Sequence, residues 1–401
     1  MSTSLKFVHS INVPASQVYR AFTNSTAFRE WLCDTASIDP KPGGRFYVAW
    51  NSGYYAGGEY VKLQQDKEVV FIWAGRDDPE PTRVTVTITA LDNGATTLSL
   101  EQVGLDNSPT WSKAKDEISR GWNEGLANLI SVLENGPDLR IVNRPMMGVM
   151  FTDFNKKRAE ELGIPVSEGL RLESTVEGLG AHQAGLQKND VIVSMDGKPA
   201  TDFNTLVHLL QGYKAGDTVE LGIYRGAEKK RIPMPLSSRP LPQIPKTAAE
   251  FGDMLQKLYA ETDKELSDAL RDASDEEAGH KPGPEDWSAK ETLAHLLHGE
   301  RDNHAWLNDM VFSQERVSDG FGDNLPARIT ATVEVYRTKD AILEELFRNE
   351  QETVHTVANL SANFVANKAS FWRGAFILLQ APIHIREHIE QIKQAIASAR
   401  K

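Results

Sequence analysis

Two histidines near the C-terminal end, His384 and His388, have the residue type and spacing that most directly indicate chemistry. They lie four positions apart in a stretch that reads as a long helix, so both imidazoles project from one face, about a turn apart. A third ligand must come from another helix, and His295 lies on the apolar stripe of segment 287–300. Three histidines from two helices suit a transition metal that keeps open positions for water or substrate. On spacing alone, the alternative is a chance pair on a surface helix.

The same residues resemble the DinB-like family of helical bundles. That family carries a His-Leu-x-x-x-Glu element on its second helix and a His-x-x-x-His element on its last, here His295 with Glu300 and His384 with His388. The resemblance implies an all-α four-helix bundle over about residues 245–401, with a three-histidine site for zinc, nickel or iron. Glu300 would orient a ligand imidazole by hydrogen bonding. His298, His304 and His355 have no place in this pattern, and we expect a solvated or packed role for each.

Helical periodicity predicts where the four helices of this region lie. Ser288 and Glu291 form a Ser-x-x-Glu capping box, which fixes the start of the second helix. The predicted helices cover about residues 248–271, residues from 288 onwards, residues 337–360 with an additional turn from 327, and residues 371–397.

Composition and charge bound the rest of the interpretation. A length of 401 residues predicts two to four domains. A net charge of −12 and a pI near 5.4 argue against nucleic acid as a partner, because its binding needs clustered Lys and Arg. The sequence has no apolar leader-like start and no apolar run long enough to span a bilayer, so we expect no membrane association. The single cysteine, Cys33, fits a reducing compartment and a small core residue. These features predict a cytoplasmic protein.

Two clusters of proline and glycine indicate domain boundaries. They are Glu134-Asn-Gly-Pro-Asp138 and Ser237-Ser-Arg-Pro-Leu-Pro-Gln-Ile-Pro245. The two stretches before Pro245 alternate like strands, whereas the region after it has long helical runs. The sequence therefore predicts a multi-domain α+β protein with domains at about 1–136, 140–238 and 245–401.

The first domain reads as a strand, a helix, a meander of strands and a long closing helix. The helix opens after Pro14 and its apolar pattern continues to Leu32, and the closing helix covers about residues 118–133. A sheet wrapped on a long helix can enclose a pocket for an apolar ligand. The alternative is that the available aromatic side chains fill the core. The candidate lining residues are Trp31, Phe46, Trp50, Tyr54, Trp73 and Trp122.

This first domain resembles the Hsp90 ATPase activator homologue branch of the START-like (SRPBCC) fold. The resemblance rests on Pro42-Gly-Gly-Arg-Phe46, Gly57-Gly58-Glu59-Tyr60 and the segment from Gly121 to Leu126. It implies a helix-grip fold with a hydrophobic cavity for a small apolar ligand. The branch is functionally mixed, so a chaperone partner does not follow from the resemblance.

The second domain resembles a PDZ domain of the bacterial, protease-associated type. The resemblance rests on the segment from Gly185 to Lys198, which reads as a turn, an alternating strand and an Asp-Gly hairpin turn. It implies a β-sandwich or barrel in which an extended C-terminal peptide adds a strand to an open sheet edge. No serine-protease motif precedes it. The candidate peptide-binding residues are Met147, Gly148, Val149 and Met150 in the carboxylate loop and edge strand, and Leu206 and Leu210 on the helix.

These observations support three functional hypotheses. The first is a cytoplasmic binding or adaptor protein that combines an apolar ligand cavity, a peptide groove and a divalent-metal bundle. The second is a metal-dependent thiol transferase, isomerase or hydrolase that uses the bundle site. The third is a chaperone-associated regulator.

The two leucines of the predicted groove wall, Leu206 and Leu210, remain equally compatible with the domain core.

Overall fold

The chain divides into two compact units. One unit comprises residues 1–138 together with 242–401, and the other comprises residues 139–241. The computed structural model describes residues 3–152, 154–284, 286–315 and 326–401. The first and third predicted domains therefore share one compact unit, which sequence reasoning did not anticipate.

A seven-stranded antiparallel sheet forms most of residues 3–105, in the order β1-β7-β6-β5-β4-β3-β2. Alternate residues of its strands are buried, as Val84, Val86 and Ile88 show on one of them. The buried face packs on the helices of this part, which we call the sheet domain (residues 3–138). The strands are β1 (Thr3–Ile11), β2 (Thr35–Ile38), β3 (Arg45–Ala49), β4 (Tyr55–Gln64), β5 (Glu68–Gly75), β6 (Thr82–Ala90) and β7 (Thr96–Leu105).

The helices of the sheet domain differ from the predicted ones in their ends. They are α1 (Ala15–Ala21), α2 (Ser25–Trp31) and α3 (Pro109–Glu134). The single helix expected between Pro14 and Leu32 is two helices, because the Asn24 side chain accepts a hydrogen bond from the Ala27 amide and starts a new helix. The closing helix begins nine residues before the expected Ile118, with Pro109 in its first turn. Cys33 is buried, as expected.

The second unit is a strand-rich domain whose sheet has the order β13-β12-β10-β9-β8, with β11 paired to β10. Its strands alternate with short helices, and buried side chains of both form its core. Its elements are α4 (Leu139–Val142), β8 (Val149–Thr152), α5 (Lys156–Leu162), β9 (Leu170–Thr175), α6 (Gly180–Gln183), β10 (Val191–Met195), β11 (Lys198–Pro199), α7 (Phe203–Leu210), β12 (Thr218–Arg225) and β13 (Glu228–Pro235).

Helices alone make up the described residues of 242–401, which we call the helical domain. Four long helices, α8, α10, α12 and α15, pack on one another around an apolar core. No helix in the described ranges is long and apolar enough to cross a membrane. The helices are α8 (Ala248–Leu270), α9 (Asp275–Gly279), α10 (Ala289–Val311), α11 (Pro326–Tyr336), α12 (Lys339–Ala358), α13 (Ala362–Ala366), α14 (Lys368–Leu378) and α15 (Ala381–Ala399).

The third predicted long helix is continuous, and the additional turn expected before it forms a separate helix, whereas the last predicted helix is interrupted. Arg337 has a φ of 65°, and Thr338 caps α12, so the chain between Pro326 and Ala358 forms two helices. The last helix, predicted over 371–397, breaks between Leu378 and Ala381. Pro382, in the first turn of α15, has no amide hydrogen to continue the preceding helix.

A buried carboxylate, Glu315, joins the helical domain to the sheet domain. Arg373 donates to its two oxygens at 2.5 and 2.8 Å, and the Arg29 guanidinium lies 3.4 Å away. Trp306 Nε1 also donates to Glu315 at 2.8 Å, and the Glu315 amide donates to Thr26 Oγ1 at 3.1 Å. Arg29 and Thr26 belong to the sheet domain, so this side chain links both parts of the first unit.

A second contact between the same two domains surrounds the buried carboxylate of Glu30. Ser370 Oγ donates to Glu30 Oε1, and Arg20 Nη1 lies 3.4 Å from Glu30 Oε2. The backbone approaches closely nearby, where Gly136 has a φ of 103° and an added Cβ would lie 2.7 Å from Trp372 Cβ. Glycine is therefore required at position 136 for both conformation and space.

We predict that Glu315→Gln destabilises the first unit by about 3 kcal/mol, because removing one partner leaves buried guanidinium charge uncompensated. Urea unfolding followed by tryptophan fluorescence measures the change. Glu344→Gln is the matched control, because Glu344 and its partner Arg348 are 69% and 71% exposed and the variant should change stability by less than about 0.5 kcal/mol. Equal effects of the two variants would contradict the proposed importance of Glu315.

Candidate functional site

Helix capping and a helix break place the three predicted histidine ligands. Ser288 and Glu291 form the predicted capping box, so α10 begins at Ala289 and carries His295 in its second turn. The break before Ala381 restarts the chain as α15, which carries His384 and His388 one turn apart. The helices α10 and α15 pack against each other, and this packing brings the three rings together.

The three imidazoles converge closely enough to share one metal ion. His295 Nε2 lies 3.1 Å from His384 Nε2. The ring centroid of His388 lies 4.7 Å from that of His295 and 4.4 Å from that of His384. One ligand atom from each residue lies within 4.8 Å of the other two. The structure thus assembles the histidine triad that the sequence predicted.

The surroundings of His384 and His388 favour the neutral form of both imidazoles. Burial lowers the pKa of His384, and burial together with the neighbouring His384 lowers the pKa of His388, although the hydrogen bond to Gln391 opposes the shift. A neutral imidazole offers the nitrogen lone pair that a metal ion requires. The His384 side chain is 53% exposed, so the cluster opens to solvent on that side. This donor set fits a divalent transition metal.

Two neighbours of the triad were missed by sequence reasoning. Gln391 Oε1 lies 2.8 Å from His388 Nδ1, three residues later on the same helix. The Trp287 ring lies 5.2 Å from the His295 ring, centroid to centroid. An (i, i+3) polar residue after a ligand histidine was the available signal for Gln391, because such pairs are neighbours on a helix.

Glu300 does not contact the histidine triad. It is buried and accepts hydrogen bonds from Tyr259 Oη at 3.0 Å, from Asn303 Nδ2 at 3.2 Å and from Thr353 Oγ1. This corrects the prediction that Glu300 orients a ligand imidazole. Five positions after His295 on an α-helix, a side chain is rotated by about 140° from it and faces other helices.

The histidines outside the predicted pattern have other roles. His298 Nε2 lies 2.8 Å from Thr332 Oγ1 and 3.1 Å from the Arg328 carbonyl oxygen. His304 Nε2 lies 2.6 Å from Thr353 Oγ1. His355 is exposed. Hydrogen bonding and solvation thus account for these side chains.

A second polar cluster lies in the core of the helical domain. Glu350 is 0% exposed and faces Asp263 on the neighbouring helix α8. Burial, then Asp263 and then Glu300, raise the pKa of Glu350 well above its ordinary value. Within the described part of the chain, no N–H or hydroxyl group donates to either Glu350 oxygen. A proton shared between the two carboxyl groups therefore accounts for their proximity.

The six aromatic residues predicted to line a cavity are distributed through the core of the sheet domain. Four of them are at most 5% exposed, whereas Trp50 and Tyr54 are half-buried. The Trp73 and Trp122 ring centroids lie 5.4 Å apart, and Trp122 Nε1 donates to Gln102 Oε1 at 2.6 Å. This packing suits the alternative in which they fill the core, and the ligand cavity stays a prediction. The six are Trp31, Phe46, Trp50, Tyr54, Trp73 and Trp122.

The predicted carboxylate loop of the middle unit leads into an edge strand. Val149 and Met150 lie on β8, the last strand of its sheet, so one side of its backbone has no strand partner among the described residues. Met147 is buried beside it. Gly148 has a φ of 76°, and an added Cβ would lie 2.4 Å from Leu179 Cβ. The loop conformation thus depends on glycine at position 148.

Helix α7 contributes different residues from those predicted. Leu206 is 1% exposed and packs in the core, so the structure assigns it to the core alternative that the sequence left open. Leu210 is half-buried. Phe203, at the first position of α7, is 58% exposed and its ring centroid lies 6.1 Å from that of Phe151 on β8. This aromatic pair between the strand and the helix was missed by sequence reasoning.

Family comparisons agree with the architecture in each part of the chain. Residues 12–134 match the family described as Activator of Hsp90 ATPase homolog 1-like protein, residues 145–236 match the PDZ domain, and residues 258–392 match the DinB superfamily. The chain carries these three domains in this order. We refer to them below as the START-like, PDZ and DinB domains.

Curated relatives match only part of this chain and only part of their own length. A probable periplasmic serine endoprotease, DegP-like, from Ectopseudomonas mendocina is 32% identical over 99 residues, which are 25% of this chain and 21% of that protein. A protein of the same description from Marinomonas is 28% identical over 109 residues, 27% of this chain and 23% of its own. The chain thus spans about a fifth of the length of these relatives.

Two solved structures each match about a third of the chain. A Chromobacterium violaceum protein is 26% identical, with a TM-score of 0.28, and the match covers 34% of this chain and 99% of that one. An HSP90 activator from Plasmodium falciparum is 24% identical, with a TM-score of 0.29, covering 32% of this chain and 95% of its own. PDZ domains bind peptides and START-like domains bind small ligands, so two of the three domains are of binding types.

We predict that Glu350→Gln stabilises the DinB domain increasingly as the pH rises. Because the pKa of Glu350 is raised, the folded protein keeps a proton that the unfolded chain loses above about pH 4.3. The stability contributed by the protonated side chain is complete below that pH and declines above it, whereas an amide does not titrate. The difference in unfolding free energy between Glu350→Gln and the parent protein should grow by up to about 1.4 kcal/mol per pH unit.

Urea unfolding of both proteins at pH 5 and pH 8 measures this difference. Glu352→Gln is the control, because Glu352 lies on the same helix and is exposed. A stability difference for Glu350→Gln that stays constant between the two pH values would show that Glu350 is ionised in the folded protein.

Proposed function

We propose that this chain is a multi-domain binding protein whose DinB domain holds a divalent transition metal, zinc, nickel or iron, through His295, His384 and His388. The observation that carries this proposal is the convergence of the three imidazoles, with His295 Nε2 and His384 Nε2 3.1 Å apart. Two lone-pair nitrogens facing each other at this distance suit a shared cation, since each is a neutral ligand for it. The match to the DinB superfamily supports the same assignment.

A metal in this position would act as a Lewis acid toward a bound water molecule or thiol, and would lower the pKa of that ligand. The chain's own contribution is to hold the three nitrogens on two packed helices and to leave one side open. Solvent reaches the triad at His384, which is its most exposed member. Three nitrogen ligands leave positions vacant, and this favours a second candidate function, a metal-dependent thiol transferase, isomerase or hydrolase.

The other two domains would recruit partners of different chemistry. In the PDZ domain, the open edge of β8 and the Phe151–Phe203 pair suit an extended C-terminal peptide that adds a strand and inserts an apolar side chain. The START-like domain would hold a small apolar ligand against its aromatic cluster. We place this adaptor in the cytoplasm, where the single buried thiol of Cys33 stays reduced.

We predict that the purified protein binds about one zinc or nickel ion per chain and that His388→Ala weakens this binding more than about 100-fold. Loss of a direct ligand should exceed the 10–100-fold effect that is typical of a residue hydrogen-bonded to a ligand. Competition with a chromophoric chelator measures the affinity. His355→Ala is the control, because His355 is exposed and lies outside the triad. Stoichiometric metal binding that survives His388→Ala would refute the site.

We predict that Gly148→Ala abolishes binding of C-terminal peptides to the PDZ domain in the full-length protein. The added methyl group would be strained at a φ of 76° and would collide with Leu179, which distorts the carboxylate loop. A fluorescent peptide library with free C-termini is the probe, and the same peptides with amidated C-termini should not bind. Gly212→Ala is the control, because its added Cβ meets no atom within 4 Å. Equal binding of free and amidated peptides would contradict carboxylate recognition.

A further inference from the structure

We propose that Gln391 is the positioning residue of the histidine triad, because its amide oxygen accepts the Nδ1 hydrogen of His388 and thereby turns the His388 Nε2 lone pair toward the other two histidines. The inference deepens the proposed metal-binding function and rests on it. The hydrogen bond itself exists in the metal-free chain, so it can be tested separately.

The geometry supports a fixed imidazole tautomer. Gln391 Oε1 lies 2.8 Å from His388 Nδ1, which is a good hydrogen-bond distance. An amide oxygen only accepts, so Nδ1 must carry the hydrogen, and in a neutral imidazole the other nitrogen is then the lone-pair donor. Gln391 and His388 are both half-buried on α15, and the neighbouring Ile392 is 0% exposed. The buried neighbour limits rotation of this part of the helix.

The partner of His388 is an amide rather than a carboxylate, and this sets the charge of the site. A carboxylate in the same place would make the imidazole more basic and would partly offset the charge of the ion. The carboxylate of Glu387 lies near the triad, with Oε2 4.0 Å from His384 Nδ1, and this side chain is 46% exposed. Imidazoles that ligate a metal ion are neutral, so the three histidines and an amide would leave most of the divalent charge for solvent or an anionic ligand.

A merely structural role for Gln391 makes a different prediction. If the side chain only bridged one turn of α15, its loss would lower helix stability slightly and leave metal affinity and the His388 tautomer unchanged. The positioning role predicts the opposite pattern, because it acts through the orientation of a ligand nitrogen. Metal affinity and tautomer are therefore the readouts that separate the two roles.

The test uses three variants of the full-length chain with zinc as the probe. Gln391→Ala should weaken zinc binding 10–100-fold, measured by chelator competition, while Gln391→Glu should bind at least as tightly as the parent protein. Gln394→Ala is the matched control, because Gln394 is exposed one turn along the same helix, and it should leave the affinity unchanged. Nitrogen-15 NMR of the metal-free protein should show the His388 hydrogen on Nδ1, and Gln391→Ala should redistribute it between the two ring nitrogens.

The outcomes distinguish this inference from the metal site itself. Zinc binding by the parent protein that is equally tight in Gln391→Ala would overturn the positioning role and leave the metal site standing. An unprotonated Nδ1 in the metal-free protein would also overturn it, since the amide nitrogen would then face the ring. Absence of zinc binding by the parent protein would remove the metal site and this inference together, even if the NMR signal showed the expected tautomer.

Discussion

Burial of a carboxylate between guanidinium groups is the interaction on which the rest of the larger unit depends. Glu315 follows the end of α10, and its partners come from α14 and from the START-like domain. The same two helices lead to the histidine triad, because α10 carries His295 and α14 directly precedes α15, which carries His384 and His388. The desolvation cost of such a charge is recovered only when both domains are in place. The position of the histidine triad is therefore tied to the packing of two domains.

Helix α10 of the DinB domain carries two polar side chains, His295 and Glu300, in different surroundings. His295 and Glu300 lie five positions apart on α10 and face different neighbours. His295 meets α15 near solvent, whereas Glu300 joins Tyr259 and Thr353 in the interior. The interior carboxyl groups of Glu300 and Glu350 thus lie apart from the candidate metal position, and the acidic side chain beside the triad is the half-exposed Glu387. This separation is consistent with a site whose ligands are all uncharged.

Local signals in the sequence predicted the parts of the structure that local chemistry determines. The Ser288–Glu291 capping box, the spacing of His384 and His388, and the strand alternation of the sheet all depend on residues close in sequence. The same reasoning failed where a distant partner decides. Glu300 faces helices α8 and α12, and Leu206 packs in the core of the PDZ domain. The joining of the first and third domains rests on contacts between residues nearly 300 positions apart, such as Thr26 and Glu315.

The order of the domains has a mechanical consequence. The PDZ domain interrupts a unit whose two parts, residues 1–138 and 242–401, belong together. A protease that cuts within the PDZ domain would sever the covalent link between these parts without separating them. The Arg29–Glu315 ion pair and the hydrogen bond from Ser370 to Glu30 would still hold them together. The fragments would migrate together until a denaturant broke those links. Residues 1–138 and 242–401 therefore stay associated even when the PDZ domain between them is cut.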